Sequence, residues 1–380
     1  MRNKIDEKLF SIAKTMSNSG ERIDCLVYAN NYGHAKKYLQ KLYDNIIEYP
    51  FISAFGINTD FDGINKIAGL TQIKYISSVA KVFAQMNIAK EVMNISEVQK
   101  VFTGKGINIA VIDTGIAPHL DFCSFENRIL HFEDFIFDKQ SPYDDNGHGT
   151  FVCGVLAGNG FLSGKRYSGV APNANIIMCK ALDKKGETGS LTILKAMQWI
   201  YDNRNRYNIK VVCMSLGSQT IESGDPLIQG AEVLWNAGIV VVAAAGNSGP
   251  QSRTIKSPGA SGKIITVGAL DDGRDVNKKD FKIANFSSRG PTNRFYKPDC
   301  VASGVDSVCT SQFDEFYTKM SGTSVSTPII AGSCALLLEK EPNLSPNQVK
   351  SKILSYSEPF LQDRNAEGFG VLNVKKLLNY

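Results

Sequence analysis

The chain has 380 residues, 43% apolar and 21% charged, with 33 glycines, which excludes a disordered or fibrous protein and allows a large core beside a smaller one. Its 42 basic and 37 acidic residues leave a net charge of +5 without a dense basic block, so neither nucleic acid nor an anionic membrane surface is expected as a partner. No apolar run reaches the roughly 18 residues that a bilayer span needs.

The first stretch, "MRNKIDEKLFSIAKTMSNSGERIDC", carries charges throughout and has no apolar region of the kind found in secretory signals. Strand patterns at 22–30 and 49–58, helix patterns at 33–45 and 61–69, and a closing strand pattern within 72–85 follow. That order predicts a small α+β, ferredoxin-like unit with an antiparallel sheet over residues 1–85. Residues 86–96 are polar enough to read as a linker, with the main domain expected over 97–380. From about residue 106, apolar strand runs alternate with helical patterns, predicting an α/β fold with a doubly wound, mostly parallel sheet. The strand runs are 107–113, 174–182, 209–217, 238–246 and 263–270. The clearest helix, 190–206, repeats Leu191, Leu194, Met197, Ile200 and Tyr201 at helical spacing. A second is expected over 326–341, which would keep Pro328 in a first turn. A third begins with Ser345 as N-cap and Pro346 as the first helical residue.

Eight cysteines (Cys25, Cys123, Cys153, Cys179, Cys213, Cys300, Cys309 and Cys334) are scattered, mostly in apolar runs, with no CxxC pair and no zinc-type spacing. They read as buried free thiols in a reducing compartment, and with the charged N-terminal stretch they point to a cytoplasmic location and to no metal in the chemistry.

Four places combine polar chemistry with small residues. "AVIDTG" puts Asp113 at the C-terminal end of an apolar strand, where open α/β sheets place their functional groups. "DDNGHGTFVCG" sets His148 between two glycines at the entry to a helix. "AAAGNSGP" places Asn247 just beyond a buried strand, and "KMSGTSVSTPII" holds Ser324 before an apolar run. Taken singly, each is a turn or a cap: Asp after a strand, Asn-Ser-Gly as a turn, Gly-Thr-Ser as a helix start. Jointly they are the set that serine chemistry requires. A serine hydroxyl needs an imidazole to take its proton, and the imidazole needs a carboxylate to fix its tautomer. The tetrahedral intermediate needs hydrogen-bond donors, which an amide such as Asn247 and the backbone N–H of Ser324 at a helix start can supply. The other histidines, His34, His119 and His131, lack the glycine frame of His148.

"VIDTGI", "NGHGTFVCG", "MSLGS", "AAGNSGP" and "MSGTSVSTP" together resemble the successive signature blocks of the subtilisin-like serine proteases, in that family's Asp…His…Ser order. The resemblance runs from about residue 97 to 380. It implies a serine endopeptidase with Ser324 as nucleophile, His148 as general base, Asp113 as its orienting acid and Asn247 as oxyanion donor. It implies a specificity pocket flanked by Ser215, Leu216 and Gly217 and by Ala244, Ala245 and Gly246. It also implies an edge around Gly189, within 186–190, that pairs with substrate as an added strand. The first 85 residues resemble, more weakly, the family's propeptide, a folding helper and inhibitor, with self-cleavage near Gln85–Met86.

Several positions depart from the family pattern. Val325-Ser326 replace Met-Ala after the nucleophile, which removes an oxidisable thioether. Phe151 stands where a second histidine is common, and Cys153 where alanine is common. "GNGFLSGKRYSGVAP" replaces a loop that binds calcium in many relatives. Asp121 falls near a family calcium ligand, but one carboxylate does not make a site that takes six to eight oxygens. No cofactor is therefore expected for the chemistry, and structural calcium is doubtful. Lys256 falls on the floor of the specificity pocket. Pointing inward, it would favour an acidic or amide side chain; reaching out to solvent, it would only narrow the pocket. The alternative function is a protein that keeps this fold for binding or regulation without cleavage, against which all four site residues are intact.

Overall fold

The computed structural model describes residues 4–6, 9–10, 13–14, 22–78, 85–219, 224–276, 278–293, 295–312 and 316–380. The chain divides into two compact units, 1–82 and 83–380.

In the smaller unit the strands Ile23–Ala29, Ile47–Tyr49, Ala54–Thr59 and Ile73–Ser78 form one sheet, in which Ile23–Ala29 lies between the third and fourth strands. All three pairings are antiparallel. Helices Tyr32–Leu39 and Phe61–Ala68 start where short polar side chains satisfy free backbone donors: Asn31 accepts from His34 N–H at 3.1 Å and Asp60 from Gly63 N–H at 2.8 Å. Val27, Leu39, Phe55, Ile57, Ile64 and Ile76 are among the residues of a separate core.

The larger unit is built on a ten-stranded sheet. Its central strands are buried on both faces, which is why they read as unbroken apolar runs. Across the sheet the path runs Ile129–Asp134, Asn175–Lys180, Asn108–Asp113, Ile209–Met214, Val240–Ala244, Ile265–Asp271, Cys300–Ser303, Val371–Leu372, Ser357–Glu358. Every neighbouring pair on that path except the last is parallel. The strand order reverses at Asn108–Asp113, whose two neighbours come later in the chain and lie on opposite sides of it. Doubly wound sheets open a crevice at such a point, at the carboxyl ends of the strands. Asp113 is the last residue of that strand.

Two expectations are corrected here. Residues 86–96 are not a linker: Gln85–Val92 is a helix, and Ile88, Ala89, Val92, Met93 and Ile95 are buried in the larger unit's core. Apolar residues at i, i+4 and i+7 within a polar stretch give that segment a face to bury. The helix expected from 326 begins three residues earlier, at Thr323, and runs to Lys340, so Pro328 lies inside it rather than in its first turn. That helix is buried along most of its length and packs on four strands of the sheet. Elsewhere the expected helix ends hold within a few residues, and Ser345 forms a capping box with Gln348. No described helix is long and apolar enough to cross a membrane.

Candidate active site

Asp113 is fully buried at the end of its strand. Its Oδ1 accepts the Thr114 N–H and the His148 ring nitrogen Nδ1, each at 2.7 Å, while Oδ2 has no hydrogen-bond donor among the described residues. An Nδ1–H given to Asp113 leaves the Nε2 lone pair free to take a proton.

His148 opens the helix His148–Ala157, and its two glycine neighbours have separate reasons. Gly147, the N-cap, has φ +105°, a conformation that side chains disfavour. At Gly149 a Cβ would lie 2.2 Å from the Gly115 carbonyl oxygen, so only glycine lets the helix approach the end of the Asp113 strand. About a quarter of the His148 side chain (27%) stays exposed. Burial lowers the imidazole's affinity for a proton, but the Asp113 charge and hydrogen bond, with the Asp144 charge behind them, outweigh it and raise the pKa above 6.5.

Two residues that sequence reasoning missed hold this corner together. Asp144 Oδ1 accepts from the Thr114 hydroxyl (2.9 Å), Asn146 N–H (3.0 Å) and Gly147 N–H (2.8 Å). Its Oδ2 accepts from the Thr150 N–H (2.9 Å) and hydroxyl (2.7 Å). One carboxylate thus ties the turn after Asp113 to the start of the His148 helix. Lys180, fully buried at the end of the neighbouring strand, donates to the carbonyls of Thr114 and Leu182 and to Asp145 Oδ1. The available signals were an acidic residue four positions before His148 and a lysine ending an apolar strand.

Ser324 is the second residue of its helix. Its hydroxyl donates to the Ser215 carbonyl at 3.1 Å, and the Ser215 hydroxyl donates to the Ser324 carbonyl at 2.9 Å. The interior proline explains the second bond. Pro328 has no N–H, so the Ser324 carbonyl receives nothing from the helix ladder and a side chain takes its place. Asn247 is set by the same turn: its Oδ1 accepts both the N–H and the hydroxyl of Thr323, each at 2.9 Å. The Nδ2 group is therefore the amide's remaining donor face.

His148, Ser324, Ser215, Leu216 and Gly217 line one open cleft of about 640 Å³, whose other edge is formed by residues 185–188 and Ser190. Gly189 is the N-cap between Thr188 and the Ser190–Asn203 helix. Lys256 packs against Gly217 and Gly246. Gln85 and Met86 begin a helix, and their side chains, like residues 79–84 before them, lie outside the described residues. The other histidines are spent elsewhere. His119 accepts the Asp121 N–H and bonds the Phe316 carbonyl, His131 pairs with Glu133, and His34 lies in the smaller unit.

A sequence profile described as the Subtilase family matches residues 104–371. The chain belongs to the subtilase family. It is a serine endopeptidase. "Serine protease AprX" of Bacillus subtilis (strain 168) is 41% identical over 332 residues, 79% of this chain and 74% of that protein. "Subtilisin DY" of Bacillus licheniformis is 34% identical over 277 residues, covering 72% and 91%. Among solved structures, "S41 Psychrophilic Protease" superposes with a TM-score of 0.66 at 29% identity, over 78% of this chain and all of that one. "Sphericase" gives 0.64 at the same identity and coverage.

In this subtilase the surroundings of Asp121 do not fit a calcium ion. The side chain is fully buried. Oδ1 accepts from Leu162 N–H (3.2 Å) and the Tyr317 hydroxyl (3.1 Å), and Oδ2 from Gly160 N–H (3.1 Å) and the same hydroxyl (3.0 Å). The buried Arg128 guanidinium donates to the carbonyls of Asp121, Ala157 (2.7 Å) and Ala174 (3.0 Å). Oxygens that a cation would need already have protein donors. Among the described residues no group of three or more His, Cys, Asp or Glu side chains could hold a metal.

Proposed function

We propose that the chain is a self-cleaving zymogen that hydrolyses peptide bonds through an acyl-enzyme on Ser324. The observation that carries this reading is the 2.7 Å contact of His148 Nδ1 with Asp113 Oδ1, together with the shared cleft of His148 and Ser324. In this reading the Ser324 hydroxyl turns from the Ser215 carbonyl to His148 Nε2, gives up its proton there and attacks the scissile carbonyl. Asp113 holds the imidazole in the tautomer that presents Nε2 and stabilises the imidazolium that forms. Asn247 Nδ2 and the Ser324 N–H receive the developing oxyanion at the positive end of the Thr323–Lys340 helix. His148 then returns its proton to the leaving amine and later activates water to release the acyl group.

Residues 1–85 act as the propeptide, removed near Gln85–Met86, and then inhibit the mature domain. A smaller unit with its own core, ending near that site, supports the assignment. Substrate lies along the cleft between Ser215–Gly217 and the edge around Gly189, with Ala245, Gly246 and Lys256 at its primary side-chain slot. No metal takes part, and the donors around Asp121 support a fold that needs none. Eight unpaired cysteines, seven of them buried, fit a reducing compartment such as the cytoplasm.

Intact mass of purified wild type beside Ser324→Ala tests the reading. A wild type split near residue 85 and a variant that stays whole at 41.6 kDa are expected. If both stay whole and neither cleaves a mixed peptide library, the fold is kept for binding.

A further inference from the structure

One buried ammonium joins the edge of the cleft to the triad acid. Lys180 ends its strand opposite Asp113, its Cα partner in the parallel register, and is fully buried. The two residues after it donate their N–H groups to the Asp113 carbonyl, Ala181 at 2.9 Å and Leu182 at 3.1 Å. Its three ammonium N–H groups meet acceptors from three segments: the Thr114 carbonyl, the Leu182 carbonyl at 3.1 Å and Asp145 Oδ1 at 2.6 Å. The Tyr143 ring lies over the same group, with its centroid 4.9 Å away. An apolar side chain could fill this space, but it would leave two carbonyls and a carboxylate without their donor. What the charge contributes is therefore position.

Each of the three segments has a part in the site. The Thr114 N–H is the second donor to Asp113 Oδ1, and the Thr114 hydroxyl accepts the Gly149 N–H, one residue after His148, at 2.8 Å. Asp145 belongs to the turn that precedes His148. Leu182 begins the far edge of the cleft, and residues 183–187 beyond it close on themselves. The Asp183 N–H donates to the Glu187 carbonyl at 3.0 Å, and Asp183 Oδ1 accepts the Lys185 and Glu187 N–H groups at 2.9 and 3.0 Å. A turn closed in this way moves as one body about Leu182. Asn146 ties it a second time: Nδ2 donates to the Lys184 carbonyl and Oδ1 accepts the His148 N–H, each at 3.1 Å. We propose that Lys180 couples this edge to the triad, so that a peptide lying along the edge fixes the Asp113 turn and raises the rate of acylation as well as the affinity. Lys180 is a positioning residue, acting on the reacting atoms through Thr114 and Asp113. Binding energy from residues remote from the cut is thereby used for geometry at Ser324. This rests on the reading of Ser324 as the nucleophile and of the edge around Gly189 as the one that receives substrate.

Two p-nitroanilides with the same residue before the cut test this. One carries only an acetyl group ahead of that residue, and the other carries three further residues that reach along the edge. Values of kcat and KM are taken separately, and single turnovers with enzyme in excess read acylation itself. In wild type the longer substrate should acylate roughly ten- to hundredfold faster than the shorter. In Lys180→Met acylation should slow for both, and about tenfold further for the longer, while the longer keeps its advantage in KM. Asp145→Ala removes the ammonium's one ion-pair partner among the described residues, a partly exposed carboxylate. It should shift the same ratio in the same direction, and it serves if the methionine variant does not fold. Equal acylation rates for the two substrates in wild type would overturn the proposal. So would variants that slow both substrates in proportion, as a purely structural lysine predicts, or that change KM alone. Failure of the underlying reading looks different: neither substrate is cleaved, and a serine-directed fluorophosphonate leaves Ser324 unlabelled.

Discussion

Replacing Asp144 with asparagine separates what its carboxylate does as a fastener from what it does as a charge. Five donors from Thr114, Asn146, Gly147 and Thr150 converge on its two oxygens. In Asp144→Asn the amide oxygen can keep the three donors now on Oδ1, and the Thr150 hydroxyl can turn to accept. The Thr150 N–H is then left facing an amide N–H. One unpaired buried donor and one lost charge predict a destabilisation of about 1–3 kcal/mol by urea unfolding. Asp144→Ala loses all five bonds and should cost about 3–5 kcal/mol. The electrostatic effect has its own direction. Asp144 is one of the two carboxylates that raise the His148 pKa against burial, so its neutralisation lowers that pKa. Activity needs the imidazole neutral, and the acid limb of kcat/KM should therefore lie above pH 6.5 in wild type and move to lower pH in Asp144→Asn. The pH profile of kcat/KM for one peptide, measured on both proteins, reads this directly. An unmoved limb with uniformly lower activity would refute the electrostatic part and leave Asp144 as a purely structural tie.

Further outcomes follow from other contacts. Chelation with EDTA should leave the wild-type unfolding temperature unchanged. Tyr317→Phe, which takes a hydroxyl from both oxygens of buried Asp121, should cost about 1–3 kcal/mol with no rescue by added calcium. Ser215→Ala should lower kcat more than it changes KM, because it leaves the Ser324 carbonyl without the donor that replaces Pro328's missing N–H; an effect on KM alone would contradict this. The folded-state pKa of His148 is raised, so its own contribution to stability is fully present below pH 6.5 and is lost as pH rises through the folded value. In Asp113→Asn that loss should shrink, as read from urea midpoints across that range.

The candidate site was legible in the sequence because each of its residues stands where an element ends or begins. Asp113 ends an apolar strand, His148 and Ser324 open helices, and Asn247 follows a strand. Such positions combine small residues with one polar side chain, and that contrast survives in one dimension. The central strands were legible for a related reason: burial on both faces leaves no polar residue to interrupt the run. The strand Ile129–Asp134 was not, because its burial is mixed and Leu130 and His131 break any simple alternation. Cys300–Ser303 is too short to carry a period.

What stayed hidden depends on partners far along the chain. The apolar face of the Gln85–Val92 helix was present in the sequence, but only the core it enters tells a packed helix from a linker. Asp144 and Lys180 look like ordinary surface charges until the turn after Asp113 is folded against them. Pro328 shows the same dependence most sharply. By propensity alone, proline marks the first turn of a helix, and the helix was therefore expected to begin after Ser324. In the fold, the carbonyl that Pro328 leaves unpaired is satisfied by Ser215, 109 residues away along the chain, so the helix can begin earlier and include the serine. The residue that seemed to exclude Ser324 from the helix is tolerated because a second serine, from the neighbouring strand's end, supplies the missing donor. That bond also joins Ser324 to one wall of the cleft it serves.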